Sequence, residues 1–80
     1  MDDRDILHRI AGLVDEEHEL RERHVGVGLH DHDRARLAEL ERQLDQCWDL
    51  LRQRRARREF GEDPDAASPR PADEVDDYRQ

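Results

Sequence analysis

Histidine and carboxylate side chains, which bind divalent metal ions, are concentrated near the middle of this chain. The group comprises His18, His24, His30, Asp31, His32 and Asp33. Di-iron helical bundles repeat a Glu-x-x-His pattern on facing helices. The nearest match here is Asp15 with His18, and the second half of the chain has no counterpart. We therefore predict capping and solvated roles, with no metal and no cofactor, and keep a metal-binding helical bundle as the weakest alternative.

A nucleophile beside a base would also indicate chemistry, but the sequence offers only isolated candidates. Cys47 is the only cysteine and Ser68 the only serine. Covalent catalysis needs a base and a cleft around the nucleophile, whereas Cys47 falls among apolar residues, as a small buried side chain does. There is no Gly-rich phosphate loop and no Cys-x-x-Cys pair. We predict a protein that is not an enzyme, with no small-molecule substrate evident.

A run of arginines late in the chain raises the question of a nucleic-acid or acidic-protein surface. Its members are Arg52, Arg54, Arg55, Arg57 and Arg58. They project in most directions around a helix, at a C-terminus where cations are favoured anyway. Antiparallel packing would set them beside Asp2, Asp3 and Asp5, and the net charge of −8 repels nucleic acid and anionic membranes. We predict internal neutralisation, with no nucleic-acid or membrane partner.

Two apolar stripes define the elements that carry these residues. In each stripe the residues recur at alternating spacings of three and four, which places them on one side of an α-helix. With Trp48 at the flank, the predicted interface comprises Ile6, Ile10, Leu13, Glu17, Leu20, Leu37, Leu40, Leu44, Cys47, Trp48 and Leu51. Helix 1 is predicted over about residues 3–24, a turn over 25–31, and helix 2 over about 32–59.

The predicted fold is all-α: an antiparallel two-helix hairpin over residues 1–60 and an irregular acidic, Pro-containing tail over 61–80. Asp2 or Asp3 is expected to cap helix 1, and Asp31 or Asp33 to cap helix 2. Phe60 and Gly61 supply the stop of helix 2. Antiparallel packing sets Leu13 opposite Leu44 and makes Leu44 central to the helix contact. In the tail, only Val75 and Tyr78 offer anchors.

The small amount of apolar material favours self-association. The chain has 80 residues, of which 34% are hydrophobic and 45% charged, and its single cysteine excludes an intramolecular disulfide. A lone hairpin of this size is marginal. Leu7 and Val14 widen the apolar face of helix 1, and one helix cannot cover Trp48, so we predict a homodimer that forms a four-helix bundle. The sequence has no signal-peptide or membrane-span pattern, so we expect a cytoplasmic protein.

Glu17 interrupts the first stripe between Leu13 and Leu20. In one interpretation it lies at the edge of the stripe and pairs with Arg21, one helical turn further on. In another it makes a polar contact across an interface, since a buried carboxylate needs a partner. A metal ligand is the weakest alternative. We favour the first.

Residues 39–55 resemble a small actinobacterial helical-hairpin family of unknown function. So do Glu16-Glu17-His18-Glu19-Leu20 and Gly61-Glu62-Asp63-Pro64-Asp65. The resemblance covers nearly the whole chain, and its most specific block is LDQCWDLLRQRR. It implies a stand-alone small helical protein and brings no established activity, substrate or cofactor.

We expect an interaction or structural module that acts through its helical faces, as a homodimer or with an unidentified protein partner. One alternative is a transcription-associated hairpin factor that presents an acidic tip, because Asp31 and Asp33 fall near the tip. That alternative depends on analogy with polymerase-binding hairpins alone.

Overall fold

The computed structural model describes residues 1–23 and 30–71, and all regular structure within those ranges is helical. α1 spans Asp3–Glu22, α2 spans Asp31–Glu59, and a 3-10 turn follows at Pro64–Ala66. The two long helices pack against each other, which confirms the all-α hairpin. His24, most of the predicted turn, and the tail beyond residue 71 with Val75 and Tyr78 lie outside the described residues.

The N-termini of the two helices are capped differently. Asp2 caps α1 as predicted: its side chain accepts from the Asp5 backbone N–H at 2.9 Å, and the Asp5 side chain accepts from the Asp2 N–H at 3.3 Å. This reciprocal pair is a capping box. α2 has His30 at the cap position, without a side-chain cap bond. The prediction that Asp31 or Asp33 caps α2 is therefore wrong; both lie inside the first turn, where the helix dipole favours carboxylates.

The C-terminus of α2 ends at the predicted stop. Gly61 has φ +73°, a conformation that glycine adopts without steric cost. Its N–H donates to the Arg58 carbonyl at 3.2 Å, and the Glu62 N–H donates to the Arg57 carbonyl at 2.7 Å. These two bonds form a Schellman motif, which turns the chain back along α2.

Polar bonds along the helix contact establish its antiparallel register. They join Asp3 with Arg54 at 2.6 Å, Arg9 with Gln43 at 3.4 Å, and Glu16 with Arg36 at 2.7 Å. Later residues of α1 thus bond earlier residues of α2. We call the apolar contact between the helices the seam.

The core of the described residues lies along this seam. It comprises Ile6, Ile10, Leu13, Leu20, Leu37, Leu40, Cys47 and Leu50. Leu44, which we predicted to be central, is only partly buried, whereas Leu50, which lies off the predicted stripe, is buried. Residues 61–71, here called the strap, lie along α2 and bond Gln46 and Gln53 on the side of α2 where Leu50 lies. Ala67 of the strap packs against the core.

Across the ranges that the structure describes, neither helix combines the length and apolarity needed to cross a bilayer.

Candidate interaction surfaces

One side of the seam exposes apolar side chains. Leu7 and Val14 of α1 and Trp48 of α2 are 49%, 48% and 45% exposed. Leu44 and Leu51, one turn to either side of Trp48, are partly buried beneath them. We call the surface formed by Leu7, Val14, Leu44, Trp48 and Leu51 the open face.

The two helices contribute to the same side of the molecule. Leu7, Val14 and Arg21 are spaced seven residues apart on α1, and Glu41, Trp48 and Arg55 are spaced likewise on α2. Residues seven apart lie almost above one another on a helix. The Arg21 guanidinium bonds the Glu41 carboxylate at 3.4 Å, which joins the two rows. The open face is therefore one continuous surface and not two separate patches.

Glu17 lies at the edge of the open face. Its carboxylate is 3.7 Å from the Arg21 guanidinium, one helical turn away, and its side chain is partly buried. Arg21 is thus shared between two carboxylates, Glu17 and Glu41. Pairing with Arg21 corresponds to the edge interpretation that we favoured from the sequence.

The strap closes the other side of α2 through amide and carboxylate side chains. The Gln46 amide donates to the Arg70 carbonyl and the Gln53 amide donates to the Ser68 carbonyl, both at 3.0 Å. These bonds satisfy backbone groups of the strap without regular secondary structure. The tail therefore has anchors other than Val75 and Tyr78, contrary to our prediction, and they are polar.

Asp49 is the main polar anchor of the strap. Its side chain is 2% exposed, and Arg70 binds both carboxylate oxygens, with the Nε bond at 2.9 Å. Gln53 donates a further bond to Asp49 at 2.9 Å. The bonds from Arg70 outweigh burial and, with the Gln53 amide, lower the pKa of the Asp49 carboxyl. A buried carboxylate with this set of donors stays ionised.

Arg54 joins the beginning of the chain, the end of α2 and the strap. The buried guanidinium bonds Asp3 at 2.6 Å, Asp65 at 2.9 Å and the Pro64 carbonyl at 3.2 Å. Arg58 also pairs with Asp3, at 2.9 Å. Arg54, followed by Arg58, lowers the pKa of Asp3, while Asp3 and Asp65 raise the pKa of Arg54. The predicted internal neutralisation is confirmed for Arg54 and Arg58.

Two more arginines of the run also pair with carboxylates. Arg55 pairs with Glu59 at 3.1 Å and Arg57 with Glu62 at 3.4 Å. Both contacts are local and partly exposed. They neutralise charge without adding much to stability.

A groove separates the strap from the seam. Its volume is about 290 Å³, and its lining consists of Met1, Ile6, Arg9, Gln43, Gln46, Cys47, Leu50 and Pro69. Cys47 is buried and reduced here. None of the other lining residues is a histidine or a carboxylate that would serve as its base. Cys47 therefore acts as a small apolar side chain in this groove.

Among the described residues near the tip of the hairpin, His30, Asp31 and His32 are exposed. The rings of His30 and His32 stack with centroids 6.1 Å apart, and His32 lies 3.3 Å from Asp33. Asp31 is exposed, but Asp33 is buried, so the two acids do not form a shared acidic surface. Within residues 1–23 and 30–71, no three His, Cys, Asp or Glu side chains are placed to hold a metal ion.

The predicted interface residues divide between two surfaces. The seam buries Ile6, Ile10, Leu13, Leu20, Leu37, Leu40 and Cys47. Glu17, Leu44 and Leu51 are partly buried at its edge, and Trp48 faces outward on the open face. Asp49, Gln53 and Arg70 escaped the sequence analysis because the strap contact has no periodic pattern. One signal was present: Arg70 lies between Pro69 and Pro71, which reduce the entropy lost when that segment is ordered.

Comparison with known proteins places the chain in a family without assigning a role. It is 49% identical over 78 residues to uncharacterized proteins of Mycobacterium tuberculosis and of Mycobacterium bovis, covering 95% of this chain and 88% of each relative. No solved structure matches the chain significantly. The family described as "Protein of unknown function (DUF2630)" matches residues 2–80, and this protein therefore belongs to the DUF2630 family.

Proposed function

We propose that this protein is a non-enzymatic helical interaction protein that self-associates, with two hairpins pairing through their open faces into a four-helix bundle. The exposure of Leu7, Val14 and Trp48 on one side of the seam is the observation that carries the proposal. Isolated apolar residues on a surface are ordinary, but contiguous apolar patches mark sites of association. Trp is also the residue type most enriched where binding energy concentrates.

The dimensions of the molecule suit this role. Its Cα atoms extend over 51 × 26 × 15 Å, so the hairpin is a flat layer with broad sides. A stable interface buries roughly 800 Å² per partner, which a broad side of this size can supply. Burial of the open face would enlarge the core, to which residues 1–23 and 30–71 contribute eight buried side chains.

The alternatives have weaker support. A polymerase-type acidic tip needs both tip carboxylates to be presented, but Asp33 is buried. A phosphate-binding surface is less favoured, because Arg54 and Arg58 of the arginine run bond Asp3 and the net charge of the chain is −8. For these reasons a protein surface is the favoured partner, and we place its action in the cytoplasm, where Cys47 would stay reduced.

Static light scattering across micromolar concentrations tests the proposal. We expect a mass near twice the 9.5 kDa of the chain, falling toward the monomer on dilution. Trp48→Gln should shift this equilibrium toward the monomer while circular dichroism shows that the helices remain.

Phe60→Gln is the matched control, because Phe60 is a more exposed aromatic residue that lies off the open face. It should leave the association unchanged. A wild-type chain that stays monomeric throughout, yet unfolds cooperatively, contradicts the proposed function.

A further inference from the structure

We propose that two copies of this chain meet in an antiparallel arrangement whose twofold axis passes beside Trp48, with Glu41 of each copy paired to Arg55 of the other. This inference rests on the proposed self-association and specifies its geometry. It follows from the order of charged and apolar residues along the open face.

The row on α2 is symmetric about Trp48. Glu41 lies seven residues before Trp48, and Arg55 lies seven residues after it. At 100° per residue, both project within about 20° of the Trp48 direction. Leu44 and Leu51 occupy the turns in between and are partly buried. The row has an acidic end, an apolar centre and a basic end. When a second copy of the row lies antiparallel to the first, its basic end therefore faces the acidic end of the first.

The row on α1 passes the level of Trp48. Trp48 lies between Arg54 and Arg36 on α2, and these two arginines bond Asp3 and Glu16 on α1. Leu7 and Val14 fall between Asp3 and Glu16 along α1. One axis perpendicular to the helices therefore sets α2 against α2 and α1 against α1, with the apolar row of each α1 against that of the other. A single twofold operation satisfies both rows, as an isologous interface requires.

The charges distinguish this arrangement from its main competitor. A twofold axis parallel to the helices would set α2 of one copy against α1 of the other. It would keep Glu41 level with Glu41 and Arg55 level with Arg55, so the Glu41–Arg55 pair would not form. The antiparallel arrangement instead brings the Arg55 side chain, 76% exposed and paired locally with Glu59, to the Glu41 carboxylate. Because Glu41 shares Arg21 with Glu17, Arg55 of the other copy would add a second cation beside these two carboxylates. Complementary charges fix register and orientation in interfaces of this kind.

Charge reversal within one chain tests the geometry. Because a homodimer contains the Glu41–Arg55 pair twice, Glu41→Arg and Arg55→Glu should each raise the dissociation constant by about tenfold. The double variant, which restores opposite charges across the axis, should return the constant to within about threefold of wild type. Glu39→Arg is the control, because Glu39 lies on the opposite side of α2 from Trp48.

Emission from Trp48, the only tryptophan, gives an independent measurement. Its maximum should shift to the blue with rising concentration at the midpoint found by light scattering. Two results would overturn the antiparallel arrangement and leave self-association standing. In the first, the double variant loses as much free energy of association as the two single variants together. In the second, neither single variant weakens association. A monomer at every concentration overturns both proposals.

Discussion

On one side of the seam the chain covers itself with the strap, and on the other it leaves Leu7, Val14 and Trp48 facing outward. The covered side is held by directional bonds: Arg70 to Asp49, Gln53 to the Ser68 carbonyl, and Arg54 to Asp65. The open face has apolar area and few bonds. The chain thus covers one side of the seam with its own strap, whose polar contacts specify a single position on α2. The other side keeps an apolar surface that a partner can bury.

Leu40→Ala and Leu44→Ala apply the same substitution to the middle of the seam and to the open face. Leu40 is fully buried, so we expect Leu40→Ala to lower the free energy of unfolding by about 3–5 kcal/mol. Leu44 is partly buried, so its truncation should cost roughly half as much in dilute protein. Urea unfolding monitored by circular dichroism measures both.

The costs of the two substitutions should also depend differently on protein concentration. The Leu44→Ala cost should grow as protein concentration rises, because association buries the remainder of that side chain. Equal costs for the two variants in dilute protein would show that the open face does not differ from the seam.

Arg70→Ala tests how much the polar closure contributes. The substitution removes the Arg70 guanidinium from Asp49, a buried carboxylate that keeps the bond from the Gln53 amide, and we expect a loss of about 1–3 kcal/mol. Arg36→Ala is the matched control, because Arg36 also bonds a carboxylate through two nitrogens, but its partner Glu16 is 43% exposed. The control should cost less than about 1 kcal/mol. If both cost the same in urea unfolding, burial of Asp49 does not determine the strength of the strap contact.

The covered side should also be the acid-sensitive one. The pKa of Asp49 is lowered by Arg70, and the pKa of Asp3 is lowered by Arg54. A carboxyl whose folded pKa lies below its ordinary value of about 3.9 contributes stability above that pH and loses it as pH falls through the folded pKa. We therefore expect the urea midpoint to fall steeply below about pH 4. In Arg70→Ala this fall should be shallower, and parallel pH profiles for the two proteins would contradict the assignment.

The two sides of the seam also differ in how far the sequence predicts them. Heptad spacing reveals Ile6, Ile10, Leu13 and Leu40, because helix periodicity places them on one side. Asp3 with Arg54 follows from antiparallel register. The strap has no such signal, because its contacts with α2, Arg70 with Asp49 and Gln53 with the Ser68 carbonyl, join distant positions and recur at no fixed spacing. Leu50 is buried in the core beside the groove that Pro69 of the strap also lines, so periodicity of α2 alone does not identify it.

Two glycines give the smallest expected effects, and with opposite signs. Gly61 turns the chain from α2 into the strap with φ +73°, which an alanine adopts only with strain, so Gly61→Ala should destabilise by about 1–2 kcal/mol. Gly12 lies inside α1 with ordinary φ, and a Cβ there meets nothing within 4 Å. Gly12→Ala should therefore stabilise by about 0.5–1 kcal/mol, since alanine loses less backbone entropy in a helix. Thermal and urea unfolding of both variants measure these two changes in stability.

Because strain at residue 61 acts where the strap begins, Gly61→Ala should also reduce the steepness of the acid transition, whereas Gly12→Ala should shift stability equally at all pH values. A Gly61→Ala protein with an unchanged acid profile would mean that the strap keeps its contacts whatever the geometry of the turn that introduces it.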